Sequence, residues 1–577
     1  MVYLLERMES AARKNGAVTF LSPSGDDEVV SWGDLYADAV NLAAVLQTAG
    51  IGPGRSVVML ALASRPAVTA AMATWLAGGA LTMAPTPTRT MDEAAFVAET
   101  VRRINRLGGS PLVLVGPRFD QILPGLATGG WDVRMLDDVH AEVRGSDGLP
   151  AYVPPSLTDD DPAILQLTSG TTASAKTVRV SHGNLAANVE AIKVRDEHDR
   201  FHGRILSWLP LSHDMGLIGT LIIPMTCGGC DLLLSSPLDY LARPASWMAQ
   251  ISEYRATSTV GPNSAYALAA KLLATGPALD LSQLRGILTG GESVDLDAMT
   301  AFTAAAQRHG FNPALVVSAY GMAETVVATT MTPLGRGLAS DSVDADLLQT
   351  EGRAVPVGPG HTGRIRQLAR LGAPVDGLRL RISDTETGAV LTERLVGEIQ
   401  VHGTSLTAGY HNDPEATAAS RTADGWLRTG DLGYLADGEL VVTGRVKDVI
   451  ILAGRNIYPE EVERAAAGAE GVRPGNVAAF PYVRPNALGS EGLAVALETR
   501  WPSERHAQLR SDVAAQIRAA VGVSPNEVLI LPPGSLPKTP SGKLQRAEAR
   551  RLLGVGGSPA ETTSSKNTVP GTEAAMA

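Results

Sequence analysis

The chain of 577 residues has only two cysteines, Cys227 and Cys230, and lacks the second pair that a zinc site would need. Their CGGC spacing also fits a redox pair. It lies within LIGTLIIPMTCGGCDLLLSS, however, a helix, a glycine turn and a strand, so two small buried thiols in a reducing cytoplasm are the expectation. A basic excess is missing as well. Lys and Arg total 49 against 60 Asp and Glu, and a net charge of -11 argues against nucleic acid or an anionic membrane as the main partner. The N-terminal MVYLLERMESAARKNG places Glu6, Arg7 and Glu9 where a signal peptide keeps its apolar heart. The uncharged run from Pro66 to Thr88 consists mostly of Ala, Gly and Thr, with Pro85 and Pro87 near its end. It is expected to be a buried helix followed by a strand rather than a membrane span. No internal repeat is evident.

The length is too great for one core, and 44% apolar residues is ordinary for a soluble protein. Up to about residue 155, helical stretches such as Trp32 to Ala49 alternate with short apolar strands such as Ser56 to Leu62 and Leu112 to Val115. The rhythm resumes with strand-like Ile205 to Leu209, a helix from Gly216 to Cys227, strand Leu232 to Leu234, helix Pro244 to Tyr254 and strand Thr257 to Val260. This order predicts an α/β fold with mainly parallel sheets. From Leu378 the alternating segments LRLRIS, GEIQVHG and GELVVTG suit a small antiparallel barrel or sheet. A compact α+β domain follows, with a helix from Tyr458 to Ala467 and strands Val477 to Phe480 and Leu493 to Leu497. Residues 554–577 have no apolar period and are expected to be disordered.

Five strings carry chemistry. The first is a hydroxyl-rich loop, Thr168, Ser169, Gly170, Thr171 and Thr172, closed by Lys176, a composition that grips phosphate. It is not a Walker loop, since the second glycine is absent, Ala175 standing in its place. The second, Gly290, Gly291 and Glu292, follows an apolar strand, and paired glycines there admit a flat ligand. In the third, Ser318, Tyr320, Gly321, Met322, Glu324 and Thr325 bring a ring, a carboxylate and a hydroxyl together. Such a set can stack a base, hold Mg2+ and bond a phosphate. The fourth, GWLRTGD ending at Asp431, offers a carboxylate for a ribose, with Arg445 soon after. The fifth is PKTPSGKLQR with Lys543 at its tip, a mobile lysine able to serve a distant site. Gly358 to Gly363 also fits Gly-x-Gly-x-x-Gly, but no apolar strand precedes it, so it is read as a loop.

In this order and spacing the five strings resemble the acyl-adenylate-forming superfamily, and within it the fatty acyl-AMP ligases, over residues 1 to about 553. RTGDLGYLADGELVVTGRVKD and PKTPSGKLQR are the most specific parts. The resemblance implies a large N-terminal region, residues 1–446, of two α/β sheet subdomains and a small β-barrel. A mobile lid, 447–553, would follow, swinging at hinge residue Lys447. It implies ATP and Mg2+ as cofactors, with Tyr320 stacked on adenine, Asp431 on the ribose, Glu324 on magnesium and Thr325 on the α-phosphate. Arg445 would lie on the phosphate side, and Lys176 with the first loop on the β- and γ-phosphates. A carboxylate oxygen would attack the α-phosphorus as pyrophosphate leaves, with Lys543 polarising both reacting groups.

His213 in WLPLSHDMG matches a histidine bordering the acyl pocket of fatty acyl members. Ser207, Trp208, Ser212, Gly261, Pro262, Asn263 and Tyr266 are its expected neighbours. Ser212 and Ser264 stand where aromatic residues are common in the family, which leaves room for an apolar acid, fatty or a bulkier terpenoid. The stretch from Val326 to Arg370 resembles the insertion of fatty acyl-AMP ligases. Acyl-AMP is therefore the expected product, passed to a carrier-protein phosphopantetheine or a CoA-transfer partner. A complete acyl-CoA ligase and a non-catalytic acyl or nucleotide sensor remain as alternatives. The sensor is suggested by Ala173, Ala175 and Thr177, which replace Gly, Pro and Gly of the family's first loop; lost glycine freedom there would weaken ATP binding.

Overall fold

A computed structural model describes residues 1–87, 92–145, 148–168, 176–197, 203–452, 454–483, 491–538 and 544–554. The chain divides into two compact units, Met1–Val449 and a second beginning at Ile450.

The first unit is built on two large sheets. One has six strands in the order Asp132–Met135, Leu112–Val115, Ser56–Leu60, Ala80–Met83, Pro162–Leu167 and Thr177–Ser181, parallel except for the last. The other has nine strands, and its parallel centre runs Val316–Tyr320, Gly286–Thr289, Ser258–Gly261, Arg204–Ser207, Asp231–Leu234, Ala17–Phe20. Parallel strands are joined by crossovers that cover both faces, hence their near-continuous apolar sequences. Local chemistry sets the crossover helices. Ser31 accepts from Asp34 N at 3.0 Å to start the helix Trp32–Thr48, and Pro66 opens Arg65–Leu76 behind the cap Ser64. The uncharged run is that second helix, buried from Ala67 to Leu76, followed by the strand Ala80–Met83. Among the described residues no helix is long and apolar enough to cross a membrane.

The expected antiparallel region is a four-stranded sheet, Leu378–Ser383, Gly397–Gly403, Leu427–Ala436 and Glu439–Arg445. The segment from Val326 to Arg370 folds rather than loops. It contributes the antiparallel pair Ser340–Asp344 and Ile365–Ala369 with the helix Ala345–Glu351 between them. Val343, Leu348 and Leu368 pack against Tyr434, Ala436 and Val441 of the four-stranded sheet. Gly358 to Gly363 lies in the irregular stretch ahead of Ile365, as a loop.

The helix expected from Gly216 to Cys227 is two helices of different pitch. A π-helix, Met215–Ile222, runs into the α-helix Ile223–Cys227. Gly216 is required where it starts, because a Cβ there would fall 2.2 Å from the Pro210 carbonyl oxygen.

The second unit has the three-stranded sheet Val472–Val483, Glu491–Thr499, Glu527–Leu531. The helices Pro459–Ala467 and His506–Val521 bury Val462, Leu509, Val513 and Ile517 in its core.

Candidate active site

Ligands of open α/β sheets bind beyond the carboxyl ends of parallel strands, and the second and third strings lie there side by side. Thr289 pairs with Ser318 across adjacent strands, so Gly290 and Gly291 emerge next to Ala319 and Tyr320. A Cβ on Gly290 would come within 3.0 Å of the Ala319 carbonyl oxygen, and Gly291 has φ +78°. Glu292 accepts a hydrogen bond from Ser264 N at 3.3 Å, at the start of the helix Asn263–Thr275. Gly321 is the tightest glycine of the site: a Cβ there would sit 1.7 Å from the Val327 carbonyl oxygen.

The third and fourth strings meet through a phenol. Tyr320 donates to Asp431 Oδ2 at 2.7 Å, and burial, then the Asp431 charge, pushes the phenol well above its ordinary value. Asp431 is cross-strand partner of Arg445, whose Nε lies 3.1 Å from Oδ1. The Asp431 carboxylate is nearly buried, 7% exposed, so a paired cation and a phenol offset its desolvation. Lys447 is exposed in the turn after Arg445, where Asp448 N and Val449 N bond the Arg445 carbonyl.

Glu324 accepts a hydrogen bond from the Tyr410 hydroxyl at 2.8 Å, and the Lys176 ammonium lies 4.3 Å above the Tyr410 ring. Burial raises the Glu324 pKa, Asp214 adds to the rise, and the Tyr410 hydrogen bond and the Lys176 charge oppose it. Thr168 N and Oγ1 both donate to the Lys176 carbonyl, at 2.9 and 3.0 Å, joining the two ends of the first string. Ser169, Gly170, Thr171 and Thr172 lie outside the described residues, as do Ala173 and Ala175. Thr177 is buried in the strand Thr177–Ser181 opposite Leu167, with its carbonyl accepting from His411 N at 2.8 Å. That position is extended and filled, so a glycine's freedom is not what it uses.

Thr325 is buried and its hydroxyl is turned inward, 3.0 Å from the Met322 carbonyl and 2.7 Å from Thr329 Oγ1. Val326 after it holds φ +77°, a costly value for a β-branched residue. The Ser318 hydroxyl is wholly buried with no partner among the described residues, and Met322 packs half-buried against the core.

His213 Nδ1 lies 2.6 Å from Asp214 Oδ1, at the head of the π-helix. Ser207 is buried, its hydroxyl donating to Thr220 Oγ1 at 2.9 Å, and the Ser212 carbonyl accepts from Gln166 at 2.9 Å. Trp208 stacks on Tyr240 with centroids 3.8 Å apart, and Trp247, Tyr266 and Phe302 continue the aromatic chain. Tyr266 belongs to that packed interior, with its hydroxyl on the Leu288 carbonyl at 3.1 Å. Pro262 precedes Asn263, which bridges the Ser293 carbonyl at 2.6 Å and Thr289 Oγ1 at 3.1 Å; a Cβ on Gly261 would meet Trp247 at 2.7 Å.

Lys543 lies outside the described residues. Its flanks in the second unit are tied: Gln545 N bonds the Pro537 carbonyl at 3.0 Å, and Arg546 pairs with Glu463 at 2.7 Å. Tyr410 is the site residue that the sequence reading missed. The signal available was its place after Gly409, in GYHNDPEAT.

Residues 8–411 match the model of the AMP-binding enzyme family. A Mycobacterium tuberculosis protein named as a ligase, Rv1013, is 41% identical over 91% of this chain and 94% of its own length. A Caulobacter vibrioides protein named as an acyl-CoA synthetase is 34% identical over 95% of this chain and 94% of its own. A chain from structural work on fatty acyl-adenylate ligases of E. coli and L. pneumophila superimposes with a TM-score of 0.83 at 30% identity, covering 96% of this chain and 98% of that one.

Proposed function

The chain belongs to the AMP-binding enzyme family, and on that premise we propose that it activates an apolar carboxylic acid with ATP, forming acyl-AMP and releasing pyrophosphate. The observation that carries this reading is the convergence of three other strings on the segment Ser318 to Thr325. Gly290 lies beside it, Asp431 with Arg445 is bound to its Tyr320, and Lys176 is held over the partner of its Glu324.

In this site Tyr320 offers a ring beside the glycine turn, and Asp431 accepts the ribose hydroxyls. The acid's carboxylate oxygen attacks the α-phosphorus while the bond to pyrophosphate breaks, and the growing negative charge needs cations already in place. Lys176 serves the leaving phosphates and Lys543, brought by a lid beginning near Lys447, the reacting oxygens. Glu324 fits a Mg2+ ion, since such ions take one or two carboxylates and complete their shell with phosphates and water. That ion, when bound, would neutralise phosphate charge. The aromatic floor from Trp208 to Phe302 and the small Ser212 and Ser264 favour a fatty or bulky ring-bearing acid over a polar one.

We further propose that acyl-AMP is released to a carrier-protein thiol. The Caulobacter relative's name favours the second reading, transfer to CoA by the enzyme itself. Pyrophosphate exchange and hydroxamate trapping over a panel of acids test the first step, and a protein that gives neither is a sensor. Intact mass of the trapped adenylate identifies the acid. Acyl-CoA in quantity from enzyme, ATP, acid and CoA would replace the carrier reading.

A further inference from the structure

The loop around Tyr410 is fastened to both halves of the triphosphate site. Its backbone extends the six-stranded sheet: Arg179 N donates to the Gly409 carbonyl at 3.1 Å and His411 N to the Thr177 carbonyl at 2.8 Å. Tyr410 is thereby locked against the strand that leaves Lys176. On the other side Thr407 N donates to the Glu324 carbonyl at 2.9 Å, so the same loop wraps the Glu324 backbone. Tyr410 N accepts no slack either, since it donates to Thr417 Oγ1 at 2.9 Å. The side chain then stands between two opposite charges, hydroxyl on the Glu324 carboxylate and ring under the Lys176 ammonium.

Two such charges in a partly buried site attract strongly, and the natural outcome is an ion pair. Among the described residues no carboxylate reaches ion-pair distance of Lys176. Tyr410 supplies each charge with a weaker, neutral partner, one phenolic hydrogen bond and one π face. A triphosphate can displace a ring from Lys176 more readily than it can displace a carboxylate.

We propose that Tyr410 is a positioning residue that insulates Lys176 from Glu324, keeping the lysine available to the triphosphate of ATP. This rests on the nucleotide reading of the site. Without the ring, Lys176 closes on Glu324 and nucleotide must break that pair to bind.

Calorimetric titration of the full chain with ATP in EDTA, and again with Mg2+, tests the proposal through affinity rather than turnover. Tyr410→Leu is expected to raise the ATP Kd in EDTA about tenfold, and Tyr410→Phe, which keeps the ring, less than about threefold. Adding Glu324→Gln is expected to tighten ATP binding more in the Tyr410→Leu background than in the parent, by about fivefold or more, a coupling that loss of general structure would not create. Equal gains in both backgrounds, or an unchanged Kd for Tyr410→Leu, overturn the insulating role and leave the nucleotide site standing. A parent chain that binds no ATP removes the nucleotide reading itself, and this proposal with it. Should Tyr410→Leu fail to fold, Tyr410→Gln, which keeps a donor and removes the ring, carries the same cycle with the same expected coupling.

Discussion

Tyr434 donates a 2.7 Å hydrogen bond to the buried carboxylate of Asp341, joining the segment from Val326 to Arg370 to the strand that carries Asp431 three residues away. Arg394 and Arg370 complete the Asp341 shell at 2.9 and 3.4 Å. Asp341→Ala leaves the Tyr434 phenol without its acceptor and takes one carboxylate from Arg394 and Arg370, which keep the Ala354 carbonyl at 3.3 Å and Asp437 at 2.8 Å respectively, and we expect a loss of about 2–3 kcal/mol of stability. Urea unfolding monitored by tryptophan fluorescence checks it. A change within 1 kcal/mol, to an order of magnitude, would show that the segment is not anchored by this carboxylate.

Asp431→Asn removes the charge that faces Arg445 and the acceptor proposed for ribose. An ATP KM raised about tenfold or more is expected in pyrophosphate exchange, the scale of a lost charged hydrogen bond. Tyr320→Phe frees one Asp431 oxygen and is expected to have the smaller effect on KM.

Gly321→Ala places a methyl group against the Val327 carbonyl, which belongs to rigid backbone and cannot turn aside. Soluble protein with at least a tenfold loss of exchange activity is the expected result, on the order of a misplacement cost in a preorganised site. Parent-like activity would mean the 321–327 turn relaxes freely.

His182 is buried at 1% exposure, and burial lowers its pKa from 6.5 to about 4 against the opposing fields of Asp161 and Asp159. Above about pH 6.5 folded and unfolded chains both hold it neutral, and it contributes no pH dependence. As pH falls below that value the unfolded chain binds the proton first, so stability declines until the folded site titrates near 4. The loss is on the order of 3 kcal/mol across that window. His182→Asn is expected to flatten the fall in urea midpoint between about pH 7 and about pH 4.5 relative to the parent.

Lys543→Ala is expected to cost on the order of 10² to 10³ in the adenylation rate, as other preorganised donors do, with ATP binding retained. Equal losses in rate and in ATP affinity would place the lysine in ground-state binding instead.

Much of this site was legible because its chemistry is clustered in short strings. Gly290, Tyr320, Asp431 and Arg445 could be singled out singly, and the sheet register then placed them together. Tyr410 escaped because its neighbours are Lys176 and Glu324, far off in sequence, and an aromatic in a polar loop has no periodic signature. Thr177 misled for a related reason. The family string has a glycine there, while this chain puts a buried side chain at the first position of a strand. The π-helix was equally hidden, since apolar spacing in LIGTLIIPM suits either helical pitch over so short a run.

That π-helix gives the wall beside His213 a property of its own. Its wider turns place more residues over a given rise than an α-helix does, so Met215–Ile222 carries slack in chain length. Removal of a single residue there can be absorbed by tightening to α pitch. The same deletion in the α-helix Ile223–Cys227 would have to pull on the strand Asp231–Leu234. Length, as well as side-chain identity, is therefore a variable by which this part of the proposed acid-binding wall can change shape while the sheet behind it stays in register.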